Sequence, residues 1–269
     1  MSKKKLVIIA GITGAVGTAL LEQFGSLRNT VVLGISRQAR RSEAFISNKT
    51  GKLYASTLIC SLPEMSESSC VAFVSLIDFE QFSDITYIHC VGTYLFEIDQ
   101  EGHFMVANDC DHDGINDECM LLSYNYFRWM TVSLIVQTKT HLTCAIFAGL
   151  ADQHRPRIIQ SWWRSMARVK EYMKTVVNER VGMFIFNISS VLCPHEIITR
   201  PYVFVNTEAD SRTWLSPYQL ATSVRRQLQN NKGGYHAADI FNPWNGFYPE
   251  FYSDEQMVPR RLAETQRRK

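Results

Sequence analysis

The stretch LVIIAGITGAVGTALLEQF, residues 6–24, decides the fold. A run of branched apolar residues leads without a polar break into Gly11, Gly14 and Gly17, and an apolar pattern of helical period follows. An uninterrupted apolar run suits a strand buried on both faces, and such strands belong to parallel sheets covered by helices on each side. The three glycines meet three needs of a strand-to-helix turn: a tight reversal, a backbone bare enough for an anion to approach, and close seating of the helix on the strand. The N–H groups of the first helical turn lack partners within the helix and carry the positive end of its dipole, so they face an anion. Gly11, Thr13, Gly14, Ala15, Val16 and Gly17 are therefore the candidate phosphate contacts. A tight turn that binds nothing would use the same glycines. The placement between a strand and a helix is what favours the nucleotide.

Outward from this stretch, short apolar segments alternate with longer helical patterns, the mark of βαβ units on a parallel sheet. Strands are expected at Lys5–Ala10, Val31–Ser36, Leu53–Ile59, Ile85–Cys90, Leu142–Ala148, Met183–Ser189 and Tyr235–Phe241. Helices are expected near Gly14–Phe24, Arg40–Asn48, Glu67–Phe82, Asn116–Gln137, Ile158–Glu179 and Pro217–Gln229. The expected architecture is one doubly wound Rossmann-type α/β domain over residues 1–269 with a mainly parallel seven-stranded sheet, a substrate-side lid at 195–215 and a C-terminal tail at 242–269.

Composition narrows the class. A chain of 269 residues that is 46% hydrophobic buries a substantial core, and a net charge of +2 gives no reason to expect nucleic acid or a membrane surface as partner. Seven cysteines, with no Cys-x-x-Cys pair, read as reduced packing residues of a cytoplasmic protein. No apolar run approaches the ~20 residues of a membrane span, and the one after Lys3–Lys5 is too short for a signal peptide.

The end of the second strand chooses between cofactors. An acidic side chain there accepts hydrogen bonds from an adenosine ribose, but Ser36 and Arg37 stand in its place, followed by Arg40 and Arg41. A guanidinium at this point favours a 2′-phosphate, so NADP(H) is expected ahead of NAD(H). The alternative is a solvated cationic helix start.

With these residues in view, the sequence resembles the short-chain dehydrogenase/reductase family over most of its length. The family's strand-four pattern, an Asp leading through apolar residues to Asn-Asn-Ala-Gly, is similar to Asp84-Ile-Thr-Tyr-Ile-His-Cys-Val-Gly92. Its central-helix Asn resembles Asn125 in SYNYF, and its Arg-Val-Asn strand resembles Phe184–Ser190 with Asn187 matching. The glycine spacing is that of the family's extended and atypical branches, the length that of its shorter branch. The resemblance implies an NADP(H)-binding oxidoreductase acting on a small carbonyl or alcohol, cofactor contact at Gly92, a catalytic-site Asn125, and a homodimer or homotetramer formed through the helix around Trp162.

The family's reaction uses a Ser that polarises the carbonyl, a Tyr that donates the proton and a Lys four residues later that lowers the Tyr pKa. Placed by the flanking matches, those positions read Gly149, Trp162 and Met166, and none has the required group. No tyrosine in the chain is followed four residues later by lysine. A divergent reductase with another proton donor is one reading. A lyase, isomerase or cyclase on the same scaffold is a second, and a catalytically inactive nucleotide-binding or scaffold subunit a third.

Asp152 and His154, in the loop after the fifth strand, are the candidate acid/base pair: His154 titrates near neutrality and Asp152 orients it. A polar loop covering the next helix is the competing account. The segment NDCDHDGINDE, residues 108–118, has the Asp-x-Asp-x-Asp-Gly spacing of a hard-cation loop, but Met120 stands where the bidentate Glu belongs, so no metal is expected.

Overall fold

A computed structural model of the chain describes residues 3–36, 57–61, 65–91, 96–98, 104–106, 115–149, 160–189, 191, 215–230 and 233–241. The first apolar run is β1 (Lys4–Ala10), buried from Leu6 onward. The glycine turn delivers it into α1 (Ala15–Gly25), which returns through a left-handed Asn29 to β2 (Thr30–Ser36). Next come β3 (Thr57–Ser61), α2 (Glu67–Ser75), a 3-10 turn at Phe79–Gln81 and β4 (Phe82–His89). A short antiparallel pair follows, β5 (Phe96–Ile98) and β6 (Phe104–Val106). Then the chain forms α3 (Ile115–Gln137), β7 (His141–Gly149), α4 (Gln160–Val176), β8 (Val181–Ile188), α5 (Pro217–Asn230) and β9 (Gly234–Ile240).

Seven strands form one sheet in the order β3-β2-β1-β4-β7-β8-β9. Every pairing in it is parallel. The strand order reverses between β1 and β4, and in open α/β sheets the crevice above the carboxyl ends at such a switch point is where ligands bind. The expected doubly wound fold is thus present.

Alternation along the strands divides the core into two layers. Leu6, Ile8, Ile85, Tyr87, Val181, Met183 and Ile185 face α2, α3 and α4, where they meet Phe127, Met130, Val169 and Met173. Val7, Ile9, Ile88, Phe184 and Phe186 face α1 and α5, against Leu20, Leu21, Phe24, Leu220 and Val224. Arg180 ties the turn before β8 to the end of α3, its guanidinium donating to the carbonyls of Thr138 and Ile135 (2.5 and 3.1 Å). It thereby satisfies acceptors left open at the helix terminus.

Element ends depart from expectation most at α2 and β3. The helix expected over Glu67–Phe82 stops at Ser75, because Leu76 caps it and Asp78 starts a 3-10 turn by accepting from the Glu80 amide (3.1 Å). Phe79 and Phe82, which extend the apolar pattern in sequence, instead bury the lower end of β4. The third strand runs Thr57–Ser61, later than the expected Leu53–Ile59. The β5–β6 pair carries no signal in the pattern. The expected Arg40–Asn48 helix, most of the 195–215 lid and the 242–269 tail lie outside the described residues. Among the described residues no helix is long and apolar enough to cross a membrane.

Candidate functional site

The glycine turn sits at the switch point, and the structure gives its glycines different duties. Gly11 has φ +80, and a Cβ on it would meet the carbonyl oxygen of Cys90 at 2.9 Å, so the peptide leaving β4 lies directly over it. Gly17 is buried in α1, where a Cβ would stand 2.2 Å from the Gly11 carbonyl oxygen and 2.7 Å from Cα of Ile12. Both glycines are demands of the chain's own packing. Gly14 is exposed, has an ordinary extended backbone (φ −75, ψ 165), and among the described residues its Cβ would meet only the Gly11 oxygen, at 3.3 Å. The demand on glycine is therefore weaker at Gly14 than at Gly11 or Gly17.

Gly14 is also the N-cap of α1 and, being glycine, supplies no side-chain cap, and the first turn holds no acidic residue. The turn closes on itself through the Gly14 amide to the Gly11 carbonyl (3.0 Å), and Thr18 donates its hydroxyl to the Ile12 carbonyl (3.1 Å). The positive end of α1, at Ala15, Val16 and Gly17, therefore lies at the switch point with no acidic side chain in its own first turn. The amides of Gly11 and Ile12 both reach the Ile35 carbonyl on β2 (2.9 and 3.3 Å), so the turn is anchored to its neighbouring strand.

Thr13 and Ser36, two of the candidate contacts, lie 23 residues apart and are joined by a hydroxyl–hydroxyl bond of 3.0 Å. Ser36 is buried at the carboxyl end of β2 and Thr13 is exposed, so the pair links the glycine turn to the carboxyl end of its neighbouring strand. Arg37, Arg40 and Arg41, the 2′-phosphate candidates, lie outside the described residues, as does Gly92.

On the other side of the switch point His89 ends β4 and is buried. Its Nδ1 lies 2.9 Å from the Tyr87 hydroxyl and its Nε2 lies 3.0 Å from Oγ of Ser123 on α3. Ser123 in turn donates to the Val91 carbonyl (2.6 Å). The edges of the Tyr126 and Phe127 rings close over the imidazole, with centroids at 5.5 and 5.7 Å. Burial among these rings pushes the His89 pKa down to about 3, so the ring is neutral. The adjacent Cys90 thiol is held well above its usual range by burial and stays protonated. Neither His89 nor Ser123 was a sequence candidate. The signal available for them was the departure at His89 and the placement of Tyr87 and His89 on one face of a strand.

Asn125 is half-buried on α3, between the Ser123 and Tyr126 that flank His89, and its side chain makes no hydrogen bond with another described residue. Gly149 ends β7, paired in register with Ile188. Met166 is buried in the α3–α4 core layer, a setting that matches its thioether. Asn187 is buried on β8 and donates to a carboxylate oxygen of Asp239 on β9 (2.7 Å). Asp152 and His154 lie outside the described residues, and so do Asp109, Asp111 and Asp113 of the acidic loop. Among the described residues no group of three or more His, Cys, Asp or Glu is placed to hold a metal.

No protein-family model matches the chain. No curated protein matches it either. Among solved structures it is similar to a short-chain dehydrogenase/reductase, glucose/ribitol dehydrogenase, from Brucella melitensis, with 10% identity, TM-score 0.65, and 89% of this chain and 97% of that one covered. It is similar to the closed form of a serine dehydrogenase complexed with NADP+, at 12% identity and TM-score 0.64, covering 90% and 98% of the two chains. It is also similar to an alcohol dehydrogenase from the archaeon Thermococcus sibiricus complexed with 5-hydroxy-NADP, at 15% identity and TM-score 0.63, covering 92% and 100%. At these identities the likeness is one of fold, and it extends over nearly the whole of each chain.

Proposed function

We propose that the chain is a divergent protein of the short-chain dehydrogenase/reductase type that binds NADP(H), takes NAD(H) less well, and reduces or oxidises a small carbonyl or alcohol. The observation that carries this reading is the open, uncapped N-terminus of α1 behind an exposed Gly14 at the switch point of the sheet. A dinucleotide there would lay its pyrophosphate on the amides of Ala15, Val16 and Gly17, its adenosine ribose beside Ser36 and Arg37, and its other half toward Val91, Gly92 and Asn125. The bound NADP+ and 5-hydroxy-NADP of two structural neighbours support that choice of ligand. The nicotinamide supplies hydride transfer when bound; this chain's part is to orient it and to move a proton.

Gly149, Trp162 and Met166 offer no hydroxyl, phenol or ammonium for the proton step, so proton transfer falls to another group, with His154 held by Asp152 as the candidate. The buried Met166 favours a second reading in which the crevice binds nucleotide without turnover. Leu121, Val132 and Val136 share an exposed face of α3 beside a groove lined by Tyr124, Arg128, Arg168 and Tyr172, and this face suits the subunit contact of a homodimer or homotetramer. Calorimetric titration with NADPH and NADH tests the cofactor assignment, with NADPH binding expected and no heat from either refuting it. Loss of nicotinamide absorbance over a panel of small aldehydes and ketones then separates the reductase from the binding protein.

A further inference from the structure

We infer that His89 and Ser123 are positioning residues that hold the peptide leaving β4 against the glycine turn and so set the far wall of the dinucleotide crevice. This rests on the NADP(H) reading above. The hydrogen-bond directions follow by elimination. The Val91 carbonyl can only accept, so the single hydroxyl proton of Ser123 is given to it (2.6 Å). Ser123 Oγ must then accept from His89, which places the imidazole proton on Nε2 (3.0 Å). Nδ1 is left as an acceptor and takes the Tyr87 hydroxyl proton (2.9 Å). The result is a one-way chain, Tyr87 to His89 to Ser123 to Val91, with each internal member both giving and receiving.

The chain of bonds ends where the backbone needs it. Regular pairing of β4 stops at His89; the Cys90 amide still reaches the Ala10 carbonyl (2.9 Å), and Val91 begins the departure from the sheet. The Cys90–Val91 peptide crosses Gly11 so closely that a Cβ there would lie 2.9 Å from the Cys90 oxygen and 3.3 Å from the Val91 nitrogen. The next carbonyl is fastened to α3 by Ser123, and α3 is fixed on His89 by Tyr126 and Phe127. The segment is therefore clamped between the glycine turn and the long helix. It lies on the β4 side of the switch point, whereas the adenosine end rests over β2.

That asymmetry supplies the test. Calorimetry on the full chain with NADP+ and with adenosine 2′,5′-bisphosphate, which lacks the half beyond the first phosphate, separates the two ends of the crevice. Ser123→Ala is expected to weaken NADP+ about tenfold and to leave the bisphosphate within about twofold, the scale of one lost neutral hydrogen bond. Ser123→Thr, which keeps the hydroxyl, restores NADP+ to about the parent affinity, and His89→Leu, which has no donor for Ser123, follows Ser123→Ala. Parent-like binding of both probes by Ser123→Ala overturns the inference. Equal weakening of both probes overturns it too, since a general loosening of the fold would produce that. A parent chain that takes up neither probe refutes the dinucleotide reading itself, and the inference with it, through a result that involves no variant.

Discussion

Gly14 and Gly17 look alike in the sequence, and the structure predicts opposite outcomes when each gains one methyl group. In Gly17→Ala the new carbon would stand 2.2 Å from the Gly11 oxygen and within 2.9 Å of two further backbone atoms, roughly 1 Å inside ordinary contact at the worst point. Backbone atoms cannot swing aside as a side-chain tip can, so α1 must lift from β1. Overpacking of this kind costs about 3 kcal/mol or more, of which replacing a helical glycine by alanine returns about 1. A net loss of about 2–3 kcal/mol lowers the melting temperature by about 5–10 °C for a domain of this size. In Gly14→Ala the only new contact among the described residues is at 3.3 Å and the backbone is already in a region open to alanine. The poorer N-cap and the reduced freedom of the unfolded chain nearly cancel, so stability stays within about 1 kcal/mol of the parent. The methyl group nevertheless projects where phosphate approaches, and NADPH binding should fall by about tenfold or more; Gly14→Val should abolish it in a folded protein. Thermal unfolding followed by circular dichroism, with NADPH calorimetry on the same samples, reads both effects. A Gly17→Ala melt within about 2 °C of the parent, or unchanged NADPH affinity in Gly14→Ala, would refute the division of labour drawn from the turn.

His89 makes stability depend on acid. Its folded pKa of about 3 lies below the ordinary 6.5, so the unfolded chain takes up a proton that the folded chain refuses; stability is full above pH 6.5 and is lost toward pH 3 with a slope of up to about 1.4 kcal/mol per pH unit. Urea midpoints across that window should fall more steeply for the parent than for His89→Gln, and parallel profiles would show that the imidazole does not titrate in this way. Arg37→Glu should weaken NADPH by about 2–3 kcal/mol while sparing NADH, as expected for a lost charge-assisted bond to a 2′-phosphate, and equal loss of both would assign the arginine to structure. His154→Ala or Asp152→Ala should lower turnover at least about a hundredfold, whereas Trp162→Phe should keep it within about tenfold. A hundredfold loss from Trp162→Phe alone would show that α4 presents a different residue to the substrate. Val132→Glu and Val136→Glu together should convert an oligomer to monomers in light scattering, and an unchanged mass would place the subunit contact elsewhere.

The apolar runs, the glycine turn and the alternation of strands and helices determined the doubly wound sheet from sequence alone, because each is a local pattern whose period or conformational demand is written in neighbouring residues. Gly11, Gly14 and Gly17 announced the turn in the same way. What each glycine does could not be read there, since Gly17 is required by a carbonyl six residues earlier and Gly11 by a peptide almost eighty residues later. Phe79 and Phe82 extended a helical pattern in sequence, yet Asp78 turned the chain early and gave them to the base of β4. The Thr13–Ser36 link and the path from Tyr87 through His89 and Ser123 to Val91 exist only because the turn before α1, β2, β4 and α3 come together at the carboxyl end of one sheet. Sequence placed a histidine at the end of β4. Tertiary packing alone decided its state, since 34 residues separate His89 from Ser123 and only the descent of α3 onto β4 removes the ring from water and leaves it one proton and two partners.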